Sequence, residues 1–199
     1  MTQLPHWQNL LAKHCPSDRP VGWIVLLHSL MVASLAIRLR RRARLPLDDG
    51  EVLAAAMLHD IGIVATDAPG IDCRGSRPYL HHGVAGADIL RAEGVDERYA
   101  RVAERHTGVG LDPDEARALG LPDGRVYMPL TQLERLICYA DCFYSKGSRH
   151  DKFDTVALAA TAPVLRRRKS FDSVRDACAR RGPDQLARFD ALAAEFGHP

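Results

Sequence analysis

Aromatic residues are scarce in this 199-residue chain, at 6%. A strand-rich fold would lack the side chains that usually fill it. Ala and Leu are plentiful, which tilts the expectation toward helix. Net charge is nearly absent: 27 Lys and Arg face 25 Asp and Glu, leaving +2. That balance argues against a dedicated nucleic-acid binder. With 46% hydrophobic residues, the chain also lacks the composition of a disordered protein. The five cysteines (Cys15, Cys73, Cys138, Cys142 and Cys178) are odd in number and contain no CxxC pair. Neither a secreted disulfide framework nor a thiolate zinc site is expected. Cys138 and Cys142, one turn apart, read as the buried edge of a helix. The N-terminal MTQLPHWQNLLAKHCPSDRP is polar, so no secretory signal begins there. The expectation is a cytoplasmic protein. Internal repeats, low-complexity tracts and runs of alternating strand pattern are missing too.

One hydrophobic run is long enough to need a membrane test. Residues 21–37, VGWIVLLHSLMVASLAI, are almost wholly apolar and are followed by RLRRRAR. Basic residues behind such a run suit a signal anchor. Seventeen residues, however, sit at the short limit for a span of ~20, and a histidine inside a membrane is costly. A central helix of a soluble bundle fits better, its arginines complementing the C-terminal end of the dipole. No membrane association is expected.

What is abundant is histidine: nine residues, each able to titrate near neutrality and to bind metal. The chain length suits one domain with an extension. The expected division is an N-terminal segment 1–20, a main domain 21–150 and a C-terminal helical extension 151–199. Within it, a helix should run from Val21 to about Arg44, stopped by Leu45-Pro46. Asp48 or Asp49 caps a helix through EVLAAAMLHD that ends at Gly62. Residues 66–79 read as a long ordered loop. Further helices cover about 81–93, closed by Gly94, then DERYARVAERH, closed by Gly108, and DPDEARALG with Pro113 in its first turn. Thr131 and Glu134 form a capping box for TQLERLICYADCFYSK. From about 151 two or three shorter helices follow, broken at Gly182-Pro183. RRRK at 166–169 reads as a solvated basic patch. The fold class is all-α.

The helical period then puts polar residues where a core should be. His28 shares a face with Val32, Leu35 and Leu39. His59 and Asp60 follow Val52, Ala55 and Ala56. His82 lines up with Ala85, Gly86 and Ile89, and His106 with Tyr99, Val102 and Ala103. Asp141 falls in with Leu133, Ile137 and Ala140. A buried carboxylate without partners costs several kcal/mol or changes its protonation state. A metal cluster satisfies four His and two Asp together.

The order His28 … His59-Asp60 … His82 … His106 … Asp141 resembles the HD-domain superfamily of metal-dependent phosphohydrolases. The signature doublet stands in the form HDIG, within blocks LLHSLMVASLA, HHGVAGADIL, ERHTGVGL and ICYADCFYSK. The resemblance spans about residues 20–150. It implies an HD-domain-like helical bundle with the metal site between core helices. It assigns His28, His59, Asp60 and Asp141 to one divalent transition metal ion, and His82 and His106 to a second, with Asp60 bridging and catalytic. His82 is preferred to His81, which shares a face with Asp88. The cyclic-dinucleotide branch carries a GYP-type motif and a paired His in the fourth block. Neither is present, and Arg105 stands beside His106, which argues against cyclic dinucleotides as substrates.

A His and carboxylate set without thiolate suits Fe, Mn, Co, Ni or Zn. Two such ions polarise P–O bonds and lower the pKa of a bridging water. The expected activity is hydrolysis of a phosphate ester or anhydride of a nucleotide or related small phosphorylated metabolite. Lys146 and Arg105 are the candidate phosphate contacts. Asp67 reads as a turn cap, with orientation of a water as its alternative. The resemblance also implies an alternative, since some members of the superfamily with a similar ligand set are mixed-valent di-iron oxygenases, and a catalytically silent nucleotide-sensing module is the third reading. His6, His14, His150 and His198 are expected on the surface, without a role.

Overall fold

In a computed structural model, residues 4–146 and 168–199 are described. Among the described residues the chain is all-α apart from one minute ribbon. The first helix, α1 (Trp7–His14), precedes the apolar run, and its Leu11 joins the core together with Cys15. The long helix α2 (Pro20–Arg42) starts on a proline, whose missing N–H costs nothing in a first turn. It ends two residues earlier than the sequence suggests. Arg44 adopts a left-handed φ of 53°, and the helix closes before it. By length and composition α2 is the one helix among the described residues able to cross a membrane. Its Val21, Ile24, Val25, Val32, Leu35 and Leu39 are instead buried against the rest of the protein.

Asp48, not Asp49, caps α3 (Asp49–Leu58), accepting from the Gly50 and Glu51 amides at 2.8 and 3.2 Å. This helix stops at Leu58 rather than at Gly62, and a 3-10 turn over Ile61–Ala65 takes the chain onward. The expected loop at 66–79 is ordered as a two-residue antiparallel ribbon, Asp67↔Arg74 and Ala68↔Cys73, with short 3-10 turns beside it. Helix α4 (His82–Ala92) closes at Gly94, whose φ of +68° is the left-handed geometry glycine adopts without strain. Asp96 caps α5 (Glu97–Arg105), and Asp112 with Glu115 forms a capping box on α6 (Pro113–Ala118). The Thr131–Glu134 box starts α7 (Gln132–Asp141), which ends well short of Lys146. Helices α8 (Phe171–Ala179) and α9 (Pro183–Phe196) meet at the Gly182-Pro183 break. The expected helix from about 151, His150 and the first residues of the 166–169 patch lie outside the described residues.

Helix α2 is the axis: α3, α7 and α9 pack against it, while α4 packs on α5 and on the 3-10 turn after α3. Leu11 near the N-terminus and Val174, Phe189 and Phe196 near the C-terminus share one buried apolar cluster with α2, α3, α5 and α7. Three glycines set the spacing at the centre. A Cβ on Gly62 would stand 2.0 Å from the Gly86 amide nitrogen and 2.2 Å from the His82 carbonyl, and one on Gly83 would stand 2.7 Å from the Ala103 carbonyl. Backbone therefore meets backbone where α4 crosses its neighbours, and no side chain fits between them.

Candidate metal centre

His28 lies in the middle of α2, but the other five candidates sit at helix ends. His59 and Asp60 follow the last residue of α3, His82 opens α4, His106 follows α5, and Asp141 is the last residue of α7. Three helix C-termini thus point at one place, and their carbonyl ends favour positive charge there. His28, His59, Asp60, His82 and His106 are all buried. The glycine contacts above bring the opening residue of α4 against the end of α5, and so His82 against His106.

The ring orientations are fixed from behind. His59, His82 and His106 each bond through Nδ1 to the carbonyl three residues earlier, Ala56, Tyr79 and Ala103, at 2.6, 2.8 and 2.7 Å. A carbonyl only accepts, so Nδ1 carries the proton and Nε2 is turned inward. His82 Nε2 and His106 Nε2 are 3.0 Å apart. With both Nδ1 protons committed to carbonyls, the two Nε2 atoms face one another, an arrangement that suits a shared cation.

Asp60 joins two groups of donors. Its Oδ2 lies 3.3 Å from both His28 Nε2 and His59 Nε2. His28 Nε2 is also 2.8 Å from Asp141 Oδ1, and His59 Nε2 is 3.6 Å from it. The second oxygen, Oδ1, lies 3.7 Å from His82 Nε2 and 3.4 Å from His106 Nε2. Neither Asp60 oxygen has an aligned hydrogen-bond donor, although the residue is fully buried. With metal–ligand distances of about 2.1 Å, donors on adjacent corners of an octahedron stand ~3.0 Å apart and those of a tetrahedron ~3.4 Å. The observed spacings bracket both values. The donor set fits divalent metal, and the trios His28-His59-Asp60, His59-His106-Asp141 and Asp60-His82-His106 are each compact enough to hold an ion.

Lys146 supplies the charge balance. Its Nζ is 2.9 Å from Asp60 Oδ2. Burial alone would raise Asp60 and Asp141, but Lys146 and the histidines hold both well below the usual carboxylate range. Burial would lower Lys146, yet the two carboxylates keep its ammonium above its ordinary value. Burial likewise opposes charge on His59, but Asp60 and Asp141 carry it up to about 10. His82, by contrast, is pushed down to about 3 by burial and by His106 and Lys146. Burial and Lys146 lower His28 as well.

All six ligand candidates and Lys146 come together, and Arg105 does not. Its guanidinium bonds to Glu134 Oε2 at 3.0 Å and to the Val126 carbonyl at 3.1 Å. It is held there because Glu134 is buried inside the α7 capping box. Asp67 is exposed on the ribbon, and its amide rather than its side chain is engaged. His81 is half-buried beside the cluster without entering it. His6 is exposed, His14 pairs with Glu93 at 2.8 Å, and exposed His198 stacks on Phe171. Cys138 and Cys142 both donate to the Gly108 carbonyl, and all five cysteines are free thiols. Arg41 and Arg40 pair with Asp49, and Arg42 binds carbonyls at the end of α9. Three arginines of the basic run are thus engaged within the fold. Sequence reasoning missed Tyr79, whose ring lies 5.1 Å from that of His82, and Gln185. Tyr79 belongs to no motif, whereas Gln185 is a polar break in the buried stripe Phe189, Leu192, Ala193 and Phe196 of α9, a periodic signal that could have found it.

The family model of the HD domain matches residues 25–145. Two curated relatives are each named tRNA (cytidine(56)-2'-O)-methyltransferase. That of Picrophilus torridus is 33% identical over 163 residues, covering 79% of this chain and 43% of the relative. That of Thermoplasma volcanium is 36% identical over 141 residues, covering 71% and 36%. An uncharacterised protein of Methanocaldococcus jannaschii is 41% identical over 90 residues, 45% of this chain and 46% of its own. The chain therefore spans less than half the length of the curated relatives it matches. Among solved structures, the HD domain of the L. monocytogenes phosphodiesterase PgpH aligns at 17% identity with a TM-score of 0.49, covering 92% of this chain and 95% of that one.

Proposed function

The chain belongs to the HD-domain family, and from that premise we propose that it is a metal-dependent phosphohydrolase acting on an ester or anhydride of a nucleotide or related small phosphorylated metabolite. The observation that carries this reading is the Asp60 carboxylate, with one oxygen facing His28 and His59 and the other facing His82 and His106. In that reading His28, His59, Asp60 and Asp141 hold one ion, and Asp60, His82 and His106 hold the other. Divalent metal held by these residues would supply a nucleophile from water at neutral pH and offset phosphoryl charge.

The protein's own groups do the rest. The Nδ1 bonds to backbone carbonyls keep the Nε2 atoms of His59, His82 and His106 aimed inward without loss of side-chain entropy during turnover. Lys146, reaching the same carboxylate, is placed to meet a phosphoryl oxygen once Asp60 is engaged elsewhere. Buried walls lower the local dielectric and strengthen each of these interactions. The methyltransferase name of two relatives belongs to chains more than twice as long as the aligned segment, and we assign no methyl transfer to this one.

The test is phosphate release from a panel of nucleotides and phosphoesters by protein loaded in turn with Mn2+, Fe2+ and Co2+. Turnover with redox-inert loading that disappears in Asp60→Ala supports hydrolysis. Absence of phosphate release with every metal, accompanied by oxygen uptake in the iron form, would overturn it in favour of an oxygenase.

A further inference from the structure

The cluster opens on a cavity of about 530 Å3, walled by Tyr79, Leu111, Leu119 and Lys146 and also by Arg181 and Gln185. A phosphoryl group alone needs far less space. The volume lies in the range, roughly 300–1,000 Å3, that takes a small organic ligand. Arg181 and Gln185 stand outside the stretch matched by the family, so this wall is particular to the C-terminal helices.

Gln185 is 96% buried, with 4% of its surface exposed. Its amide cannot turn over. Both hydrogens of Nε2 are committed, one to the Gly110 carbonyl and one to Glu115 Oε1, each at 2.9 Å. Glu115 is itself held by Arg188 and by the Asp112 amide. Oε1 is left buried without a donor. Such an acceptor is costly unless something donates to it. Beside it lies the guanidinium of Arg181, exposed and without a carboxylate partner among the described residues. Arg181 Nη1 and Gln185 Oε1 lie 3.1 and 3.5 Å from the point where a Cβ on Gly108 would stand. At Gly108 the cavity wall thus brings the Gln185 acceptor and the Arg181 donors together.

We infer that Gln185 is a specificity-determining residue, its Oε1 accepting an N–H from the base of a nucleoside monophosphate whose phosphate lies at the metal cluster. The inference rests on the phosphohydrolase reading above and names the class of substrate that reading leaves open. Leu111 and Leu119 supply apolar wall for the ring, and Arg181 finds an acceptor on the same edge of the base.

The test removes the donor from the ligand without changing its shape. Purine riboside 5'-monophosphate keeps the ring nitrogens of a purine nucleotide but has no N–H on its base. Calorimetric titration into Mn2+-loaded protein should show it binding about 10- to 100-fold more weakly than the tighter of adenosine and inosine 5'-monophosphate, the loss expected when a buried acceptor stays unpaired. In Gln185→Leu the difference should shrink to within about 2-fold. Equal binding of the three nucleotides, or no binding of any, overturns the inference, as does a ratio unchanged in Gln185→Leu. Selective binding without hydrolysis of any phosphoester leaves Gln185 its role and overturns the phosphohydrolase reading instead. Because the comparison of ligands uses the unaltered protein, it stands even where the variant folds poorly.

Discussion

Replacing Lys146 by Met separates the metal-free protein from the loaded one. Nζ lies 2.9 Å from Asp60 Oδ2, and Asp60 is fully buried. At that distance the gross attraction is about 6 kcal/mol for an effective dielectric of about 20. Desolvation of both groups offsets part of it. Removing one partner of such a buried pair typically costs about 3–5 kcal/mol, because the remaining charge is left uncompensated. Without metal, Lys146→Met should therefore be destabilised by at least ~3 kcal/mol. With metal bound, Asp60 faces a divalent cation and no longer depends on the ammonium, so most of that cost vanishes. The difference between the two costs must appear as metal affinity, since the thermodynamic cycle closes. The variant should bind Mn2+ about 100-fold more tightly, the equivalent of ~3 kcal/mol. Denaturant melts in chelator and in Mn2+, together with calorimetric Mn2+ titrations, measure both halves of the cycle. A variant as stable as the parent in chelator, or one that binds Mn2+ no more tightly, refutes this account of Lys146.

Gly62→Ala should lose ~3 kcal/mol or more, and its metal affinity with it, because the new methyl would stand 2.0 Å from the Gly86 backbone. Gly86→Ala, whose nearest contact would be 3.2 Å, should be milder, and thermal melts of the pair rank them. Arg105→Met should lower stability by about 3 kcal/mol, because Glu134 would stay buried with backbone amides but no countercharge, while KM stays within about 2-fold. A raised KM at unchanged Tm would return Arg105 to the phosphate. His59, carried up to about 10, enters the metal site protonated at pH 7.5 and must leave it neutral. Mn2+ uptake should release about one proton per chain, seen as a dependence of the calorimetric heat on buffer ionisation enthalpy; no dependence would contradict the protonated ring. The metal-free protein should also be most stable near neutrality. Below pH 6.5 the unfolded chain takes up a proton that folded His82, held at about 3, refuses, so stability falls as pH drops. Above pH 6.5 the folded His59 keeps a proton the unfolded chain has given up, so stability falls as pH rises toward 10. Urea midpoints in chelator at pH 4.5, 6.5 and 9 test both slopes.

The helices were legible because their caps are local. Asp48, Asp96, Asp112 and Thr131 each satisfy amides within their own first turn, which a linear sequence states directly. Helix ends were less so. The His59-Asp60 doublet sits beyond α3 because Gly62 must meet the backbone of α4, a contact that appears only once the two segments pack. The ordered ribbon at 67–74 is too short for any periodic signal.

By itself the sequence determined that four histidines and two aspartates would face one interior, because a 3.6-residue period assigns each to an apolar stripe and a buried carboxylate needs a cation. It could not choose between the two basic residues flanking that site. Lys146 reaches Asp60 and Arg105 is taken by Glu134, and neither partner is near in sequence. Nor could it reveal the role of Gln185, which depends on which of its atoms are already bonded. Helical period and capping are properties of neighbours along the chain. Where a charge or an unpaired acceptor ends up is decided by what tertiary packing places against it.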